Sequence, residues 1–296
     1  MSSVCHGPSI PDKLHAAMLQ ESGSLQTTLA GPVEIAGNGL HSAVSARLRI
    51  EPAEGDSGIV FHPPAGPIPA RLEHVSEATR CTAISRGEAR VETIEHIMAG
   101  LYGLGVTNAT IKLEGGIEAP CLDGSALPVV RAIQEVGVRA IPGTQRRAVE
   151  VRRPLCVEQD GSIGMVLPSP TFRATVLVDF PHPVGREIVD VVDVAEAFVD
   201  RVAPARTPGF VREWDMLKSM GLALGATADN VLPIFDDEYG ADLRVPNEVG
   251  THKVVDLIGD LALVGADLRA HVITQRGGHA LNHAIGRAVL EAAGED

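Results

Sequence analysis

The stretch "THKVVDLIGDLALVG", residues 251–265, has the composition of a buried helix but carries three ionisable side chains at regular spacing. Its apolar residues are Val254, Val255, Leu257, Ile258, Leu261, Leu263 and Val264. His252, Asp256 and Asp260 follow one another at intervals of four, so a helix places all three on one face. The stretch therefore predicts a buried helix that presents a polar stripe to a functional site.

The composition around this helix is that of a globular protein without a nucleic-acid-binding surface. The 296 residues are 45% hydrophobic and 21% charged, and the length suits one large domain or two of ordinary size. A net charge of −13, with no evident basic face, argues against nucleic acid as a partner. An anionic substrate would need a local cluster of Lys and Arg.

The cysteines and the apolar runs indicate a cytoplasmic location. Cys5, Cys81, Cys121 and Cys156 are scattered and form no CxxC pair, which favours reduced thiols over disulfides. No apolar run approaches the roughly 20 residues that span a bilayer, and the N-terminus has no signal-peptide core. We expect a monomer without an integral membrane segment.

The order of predicted elements suggests two similar α+β domains. Strands followed by two helices occur twice, over residues 26–140 and 147–296. The segment "RAIPGTQRR", residues 139–147, is predicted to link them. Residues 1–25 are predicted to be a flexible extension, with a helical turn or two around 14–19. Clefts between domains are common ligand sites, so the facing halves predict one here.

His252 and Asp256 lie one helical turn apart and can both reach a single metal ion. A catalytic zinc usually has three protein ligands and one position for water. His96 is a candidate third ligand at the start of a predicted helix, and its neighbour Glu95 could act as a base toward the water. Taken alone, each pattern is more often structural: a hydrogen-bonded His–Asp pair, and a glutamate favoured near a helix N-terminus.

Two further segments carry residues that suit catalysis. In "QRGGHALNHA", His279 stands at a predicted helix start, where the helix dipole lowers its basicity unless a carboxylate such as Asp260 restores it. In "ARTPGF", Thr207 lies in a loop and could donate to an oxyanion. The alternatives are a capping histidine and an ordinary turn residue. His41, His283 and the other remaining histidines have no partner by spacing and are predicted to be surface or satisfied core residues.

The motifs together resemble one family. In chain order, from about residue 26 to the last helix, they are "GLHS", "VETIEH", "LDGSA", "ARTPGF", "GLALG", "THKVVDLIGD" and "GGHALN". They resemble the UDP-3-O-acyl-N-acetylglucosamine deacetylases, the zinc amidases of lipid A biosynthesis. The resemblance implies two domains, each a β-sheet packed on two helices, with the helices sandwiched between the sheets. It also implies that zinc is bound by His96, His252 and Asp256.

The resemblance further implies roles for the other candidates. Glu95 matches the family's general base, and Thr207 matches the threonine that helps to hold the oxyanion. His279 matches a histidine that acts as a cation or acid, with Asp260 beside it. The family often has an aromatic residue where this chain has Pro208. With so few aromatic residues, aliphatic side chains are expected to line the acyl passage.

Two cations are predicted to bind the substrate. Lys253 matches a lysine of the family that contacts the nucleotide sugar. Arg276 lies three residues before His279, so we expect it at the same cleft. Both would face the diphosphate of an acylated UDP-glucosamine.

The implied reaction is hydrolysis of the N-acetyl amide of UDP-3-O-(3-hydroxyacyl)-N-acetylglucosamine, giving UDP-3-O-acyl-glucosamine and acetate. A His2Asp site suits Zn²⁺ and also Fe²⁺. One alternative is a non-catalytic zinc-containing sensor of the nucleotide sugar, and another is a deacetylase of a different acylated sugar. Glu95 favours catalysis, because a sensor has no use for a base beside the water.

Overall fold

The computed structural model describes residues 3–4 and 16–294 and contains many short strands and few helices. The strands are β1 (Ser3–Val4), β2 (Ala17–Glu21), β3 (Thr27–Leu29), β4 (Val33–Asn38), β5 (Ser45–Pro52), β6 (Ile59–His62), β7 (Ile68–Pro69), β8 (Val75–Glu77), β9 (Ala83–Arg86), β10 (Ala89–Val91), β11 (Ala109–Glu114), β12 (Val138–Ala140), β13 (Arg147–Val151), β14 (Leu155–Gln159), β15 (Ser162–Pro168), β16 (Arg173–Asp179), β17 (Arg186–Val191), β18 (Pro208–Phe210), β19 (Leu232–Ile234) and β20 (Asp267–Gln275). The helices are α1 (Glu95–Gly103), α2 (Leu127–Val136), α3 (Val194–Ala197), α4 (Trp214–Ser219), α5 (Glu248–Leu261) and α6 (His279–Ala292).

Two large sheets frame the molecule. The first has five strands in the order β4-β5-β11-β6-β7. The second has eight strands, with β20 at its centre. On one side of β20 lie β15, β14 and β1; on the other, β13 and β16 pair with successive parts of β20 and are flanked by β2 and β17.

Helices α2, α5 and α6 pack against these sheets, and α1 packs on α5, because each sheet has one apolar face. Along β5 and β20, buried residues alternate with more exposed ones, which is the pattern of a strand with one covered side. Helix α2 packs on β4, while α5 and α6 pack on strands of the larger sheet, and α1 contacts α5. Helix α5 is buried along its whole length except at Lys253, so its apolar composition follows from its position between the layers.

The predicted α+β class is confirmed, and so is the buried helix that contains His252. The predicted domain boundaries stay a prediction. The predictions of a flexible extension and of a helical turn do not hold at residues 17–21, because β2 pairs there antiparallel with β13 at the edge of the larger sheet. Residues 1–2 and 5–15 lie outside the described part of the chain.

Some local predictions also need correction. Gly37 belongs to β4, which pairs with β5, and the turn between these two strands starts after Asn38. Part of the predicted linker forms β12, which pairs with β3. Strand β17 was not predicted, because its polar and charged residues hide the period-two pattern of an edge strand.

Three of the four cysteines lie within the described residues. Cys81, Cys121 and Cys156 are free thiols, as expected, and Cys5 is outside the described residues. Within residues 3–4 and 16–294, none of the helices combines the length and apolarity that crossing a bilayer requires. The cytoplasmic location and the monomeric state stay predictions.

Helices α1 and α5 approach each other closely near the predicted site residues Glu95 and His96. Gly259 of α5 faces the first residue of α1, and an added Cβ at Gly259 would overlap the backbone carbonyl of Glu95. Backbone atoms cannot rotate away as the end of a flexible side chain can. Only glycine therefore permits this approach, which brings Glu95 and His96 to the polar face of α5.

Gly259→Ala is therefore expected to lower the free energy of unfolding by about 1–3 kcal/mol, the usual cost of overpacking a core. It should also reduce activity, since α1 must shift together with Glu95. Thermal unfolding would measure the loss, at about 2–4 °C for each kcal/mol. Gly31→Ala is the control, because its Cβ would make only an ordinary contact of 3.7 Å with Val136. Equal melting temperatures in the two variants would contradict the close-approach argument.

Candidate metal centre and active site

Three buried side chains converge where α1 meets α5. The candidate ligand atoms of His96, His252 and Asp256 all lie within 4.8 Å of one another. Asp256 Oδ1 is 3.6 Å from His96 Nε2 and 3.3 Å from His252 Nε2. Two ligands held about 2.1 Å from one tetrahedral ion would be about 3.4 Å apart. The set therefore fits a metal ion, and it is the only such group found among the described residues.

Neighbouring groups orient two of these candidate ligands. His252 Nδ1 lies 3.0 Å from the carbonyl oxygen of Ala205, so Nδ1–H donates there and leaves Nε2 toward the site. Lys253 Nζ donates to Asp256 Oδ2 over 2.9 Å and leaves Oδ1 toward both imidazoles. In both residues, a hydrogen bond to the second polar atom of the imidazole or carboxylate thus fixes the direction of the candidate ligand atom.

Burial and charge favour the ligand form of two of the three groups. Burial lowers the pKa of His252, which favours the neutral imidazole. Burial alone would raise the pKa of Asp256, but Lys253 and His252 outweigh it and hold that pKa well below its usual range. At His96, burial is outweighed by Asp256 and Glu95, and the pKa rises. A metal ion would therefore compete with a proton at His96.

Glu95 lies next to the candidate ligands without belonging to them. It begins α1 and is buried, and its Oε2 accepts a hydrogen bond of 3.0 Å from the backbone N–H of Thr82. One carboxylate oxygen is thus fixed, and the residue lines the same cavity as the three ligands. This is the placement that a general base needs.

Asp260 and His279 form a buried pair one turn along α5. His279 Nδ1 lies 2.8 Å from Asp260 Oδ2, and Asn282 Nδ2 donates to the same oxygen over 2.9 Å. Burial alone would lower the pKa of His279, but the Asp260 carboxylate outweighs it and raises that pKa to about 9. His279 is therefore an imidazolium at neutral pH, as the sequence hypothesis of a supporting carboxylate requires.

A cavity of about 450 Å³ opens onto these groups. Its lining includes Glu95, His96, Thr207, His252, Lys253, Asp256 and His279. Asp260 is not part of the lining and lies behind His279. Arg276 is not part of it either: its side chain is 61% exposed and pairs with Asp179 over 2.8 Å. The structure thus brings together eight of the nine predicted site residues and leaves Arg276 outside.

Other side chains of the cavity were not predicted. Two arginines and several aromatic residues line it, namely Arg80, Arg212, Phe180, Phe210 and Trp214. The aromatic residues come from separate loops and short elements, and the expectation that aliphatic side chains line the acyl passage stays a prediction. Phe210 lies two residues after Pro208, so the segment still supplies an aromatic ring.

Three polar residues around Asp260 were also missed: Thr82, Asn282 and His283. Asn282 and His283 follow His279 on the first turn of α6, and the spacing of four between the histidines could have found His283. Thr82 stands in a loop before β9 and gives no periodic signal. It reaches Asp260 only through the fold.

Three candidate metal ligands with a further buried carboxylate beside them are an arrangement typical of metal-dependent hydrolases. The chain belongs to the UDP-3-O-acyl N-acetylglycosamine deacetylase (LpxC) family, whose model matches residues 26–291. This confirms the family predicted from the motifs.

Relatives from several bacteria agree with this assignment. A UDP-3-O-acyl-N-acetylglucosamine deacetylase of Solibacter usitatus is 38% identical over 266 residues, which cover 88% of this chain and 89% of that protein. The enzyme of the same name from Citrifermentans bemidjiense is 37% identical over 273 residues, covering 90% and 89%. That of Leptospira biflexa is 34% identical over 271 residues, covering 89% of each.

Proposed function

We propose that this protein hydrolyses the N-acetyl amide of UDP-3-O-(3-hydroxyacyl)-N-acetylglucosamine, the committed step of lipid A biosynthesis. The products are UDP-3-O-acyl-glucosamine and acetate. The observation that most supports this proposal is the position of Glu95. This buried carboxylate lines one cavity with His96, His252 and Asp256 but is not needed as a ligand. The names of the relatives supply the substrate.

The proposed metal is zinc, bound by His96, His252 and Asp256. A His2Asp set suits Zn²⁺ and Fe²⁺ alike, and amide hydrolysis involves no change of oxidation state. When bound, zinc polarises the acetyl carbonyl and lowers the pKa of a coordinated water.

Glu95 would act on the attacking water, and Thr207 would act on the oxygen of the acetyl carbonyl. Glu95 takes a proton from the water while the water oxygen bonds to the acetyl carbon. Such a general base typically increases the rate by about 10²–10⁴-fold. The carbonyl oxygen becomes an oxyanion, to which the Thr207 hydroxyl donates. Thr207 is held by its backbone, since its N–H donates to Gly124 and its carbonyl accepts from Leu232.

His279 would supply the proton that the leaving amine needs. When the carbon–nitrogen bond breaks, the nitrogen must be protonated, because an amide anion is too basic to leave. The imidazolium of His279 carries that proton, and Asp260 behind it stabilises the charge. Before the next cycle Glu95 releases its proton to the solvent and His279 takes one up, so that both groups return to their starting states.

The cations of the cavity would bind the diphosphate of the substrate. Lys253, Arg80 and Arg212 line the cavity in a chain whose net charge is −13. Arg276 faces Asp179 instead, so its predicted role in substrate binding loses its geometric support. Phe210, Phe180 and Trp214 offer apolar surface to the sugar and the acyl chain.

Acetate release from the acylated UDP-sugar tests the proposed function. The purified protein is expected to release acetate, to lose this activity with a chelator, and to regain it with zinc. Non-acylated UDP-N-acetylglucosamine and a differently acylated sugar serve as comparison substrates. Binding of the acylated UDP-sugar without acetate release would indicate a sensor, and faster release from the other acylated sugar would indicate a different deacetylase.

A prediction on pH follows from the Asp260–His279 pair. If His279 must be charged, activity falls as pH rises through about 9, the pKa that Asp260 confers. Asp260→Asn removes the carboxylate, and burial then lowers the pKa of His279, so the alkaline limb of the pH–rate profile should move to lower pH. Turnover at pH 7 should fall while zinc content stays unchanged.

The same pair links pH to stability. The pKa of His279 is raised from 6.5 to about 9, so its contribution to stability is fully present below about pH 6.5 and is lost as pH rises through about 9.

Asp190→Asn is a suitable control for Asp260→Asn in the pH–rate measurement, because Asp190 pairs with Arg173 on the sheet surface. An alkaline limb that stays in place in Asp260→Asn would show that Asp260 does not serve His279.

A further inference from the structure

Thr82 contacts Glu95, the proposed base, and Asp260, the carboxylate behind the proposed acid His279. Its backbone N–H donates to Glu95 Oε2 over 3.0 Å. Its hydroxyl donates to Asp260 Oδ1 over 2.5 Å. On the far side, His283 Nε2 lies 3.1 Å from the same hydroxyl oxygen. One buried residue in the loop before β9 therefore contacts the base Glu95 directly and reaches the acid His279 through Asp260.

We propose that Thr82, oriented by His283, is a positioning residue that fixes the Asp260 carboxylate and thereby aims His279 at the leaving amine. The proposal rests on the function proposed above and adds two residues to it. Neither one lines the cavity, so both act through other groups.

The hydrogen-bond directions around Thr82 are determined by its partners. The pKa of Asp260 is lowered by His279 and His283 despite burial, so this carboxylate is ionised and can only accept. The single hydroxyl hydrogen of Thr82 is thus committed to Asp260. The contact with His283 must then be a donation from His283 Nε2–H to the Thr82 oxygen. Among the described residues, the buried Nδ1 of His283 has no partner, so Nε2 alone orients this ring.

The contacts divide the two oxygens of Asp260 between opposite sides. Oδ2 accepts from His279 and Asn282, while Oδ1 accepts from Thr82 and lies 3.4 Å from His283 Nε2. Without the Thr82 hydroxyl, Oδ1 would keep only the longer contact with His283. The carboxylate could then turn about its bond to Cβ, and the His279 ring would lose its fixed direction.

Thr82→Val tests the hydroxyl while nearly keeping the shape of the side chain. The backbone N–H to Glu95 remains in every variant, so the base is unaffected. We expect turnover to fall about 10–100-fold, the usual effect of losing a partner behind a functional group. The Michaelis constant and the zinc content should stay unchanged, and Thr82→Ser should restore most of the turnover.

Thr28→Val is the matched control. Thr28 is also fully buried, and its hydroxyl accepts a hydrogen bond of 2.9 Å from the Ala53 N–H. It lies on β3 and does not line the cavity. This variant should keep wild-type turnover. Comparing melting temperatures of the two valine variants separates lost stability from lost positioning.

His283 is tested by a double-mutant cycle. His283→Leu removes the donor to Thr82, and His283→Asn offers a shorter donor if the leucine variant does not fold. Each should lower turnover by less than Thr82→Val does. Combined with Thr82→Val, either should add little, because both losses act through the same hydroxyl. Fully additive losses would overturn the role of His283.

The outcomes distinguish this inference from the proposed function. A wild-type protein that releases no acetate would overturn the proposed function and the inference with it. Wild-type activity together with unchanged turnover in Thr82→Val would overturn the inference alone. The same holds if Thr82→Ser is as slow as Thr82→Val, since the hydroxyl would then not be the active feature.

Discussion

His252→Ala is expected to lose most of its bound metal and nearly all acetate release. His252 Nε2 lies 3.3 Å from Asp256 Oδ1, the separation that a shared ion requires, and alanine leaves only two candidate ligands. The loss of turnover should exceed the about 10²–10³-fold that removal of one oxyanion donor causes, because the metal acts on both water and carbonyl. Metal analysis of the purified variant, beside its activity, measures both effects.

His271→Ala is the control for this substitution. His271 lies on β20, where its Nε2 is 2.8 Å from the Thr175 hydroxyl, and it does not line the cavity. It should keep both metal and activity. Full metal retention in His252→Ala would contradict the assignment of the site, even if the activity were lost.

The sequence predicted those parts of the site whose residues are close along the chain. His252, Asp256 and Asp260 share a helix face through their spacing, and Glu95 with His96 begins a helix. Such relations depend only on helical geometry. The motifs then joined the segments by resemblance. The structure places residues of six of the seven motifs around one cavity, and the exception is "LDGSA".

Contacts that depend on the packing of distant segments could not be predicted in this way. Thr82 is 178 positions from Asp260, and nothing in the sequence around it indicates that its hydroxyl points there. Arg276 is the opposite case. It is close to His279 in sequence, but its left-handed backbone (φ 53°) begins the turn into α6, and its side chain pairs with Asp179 instead.

The errors in the fold have the same origin. Residues 17–21, "AMLQE", have good intrinsic helix propensity, and only the pairing with β13 makes them a strand. Strand formation depends on neighbours that a local pattern does not contain. The long buried helix α5 was predictable because its apolar residues cover every face except the polar stripe.

Glu95→Gln is expected to reduce turnover by about 10²–10⁴-fold, the typical contribution of a general base. The amide keeps the size of the carboxylate, and its oxygen can still accept the hydrogen bond from the Thr82 N–H. It cannot take a proton from water at neutral pH. Metal content and melting temperature should therefore remain those of the wild type, and the Michaelis constant should change little.

Glu187→Gln is the matched control for the base. Glu187 is also a buried carboxylate that accepts one backbone N–H, that of Gly250 at 2.7 Å, and burial raises its pKa. It does not line the cavity, so its amide variant should keep turnover near that of the wild type. If Glu95→Gln lost metal together with activity, Glu95 would be a ligand and not the base. If it kept full turnover, the proton of the attacking water would have to go to another group, and His279, already protonated at neutral pH, could not accept it.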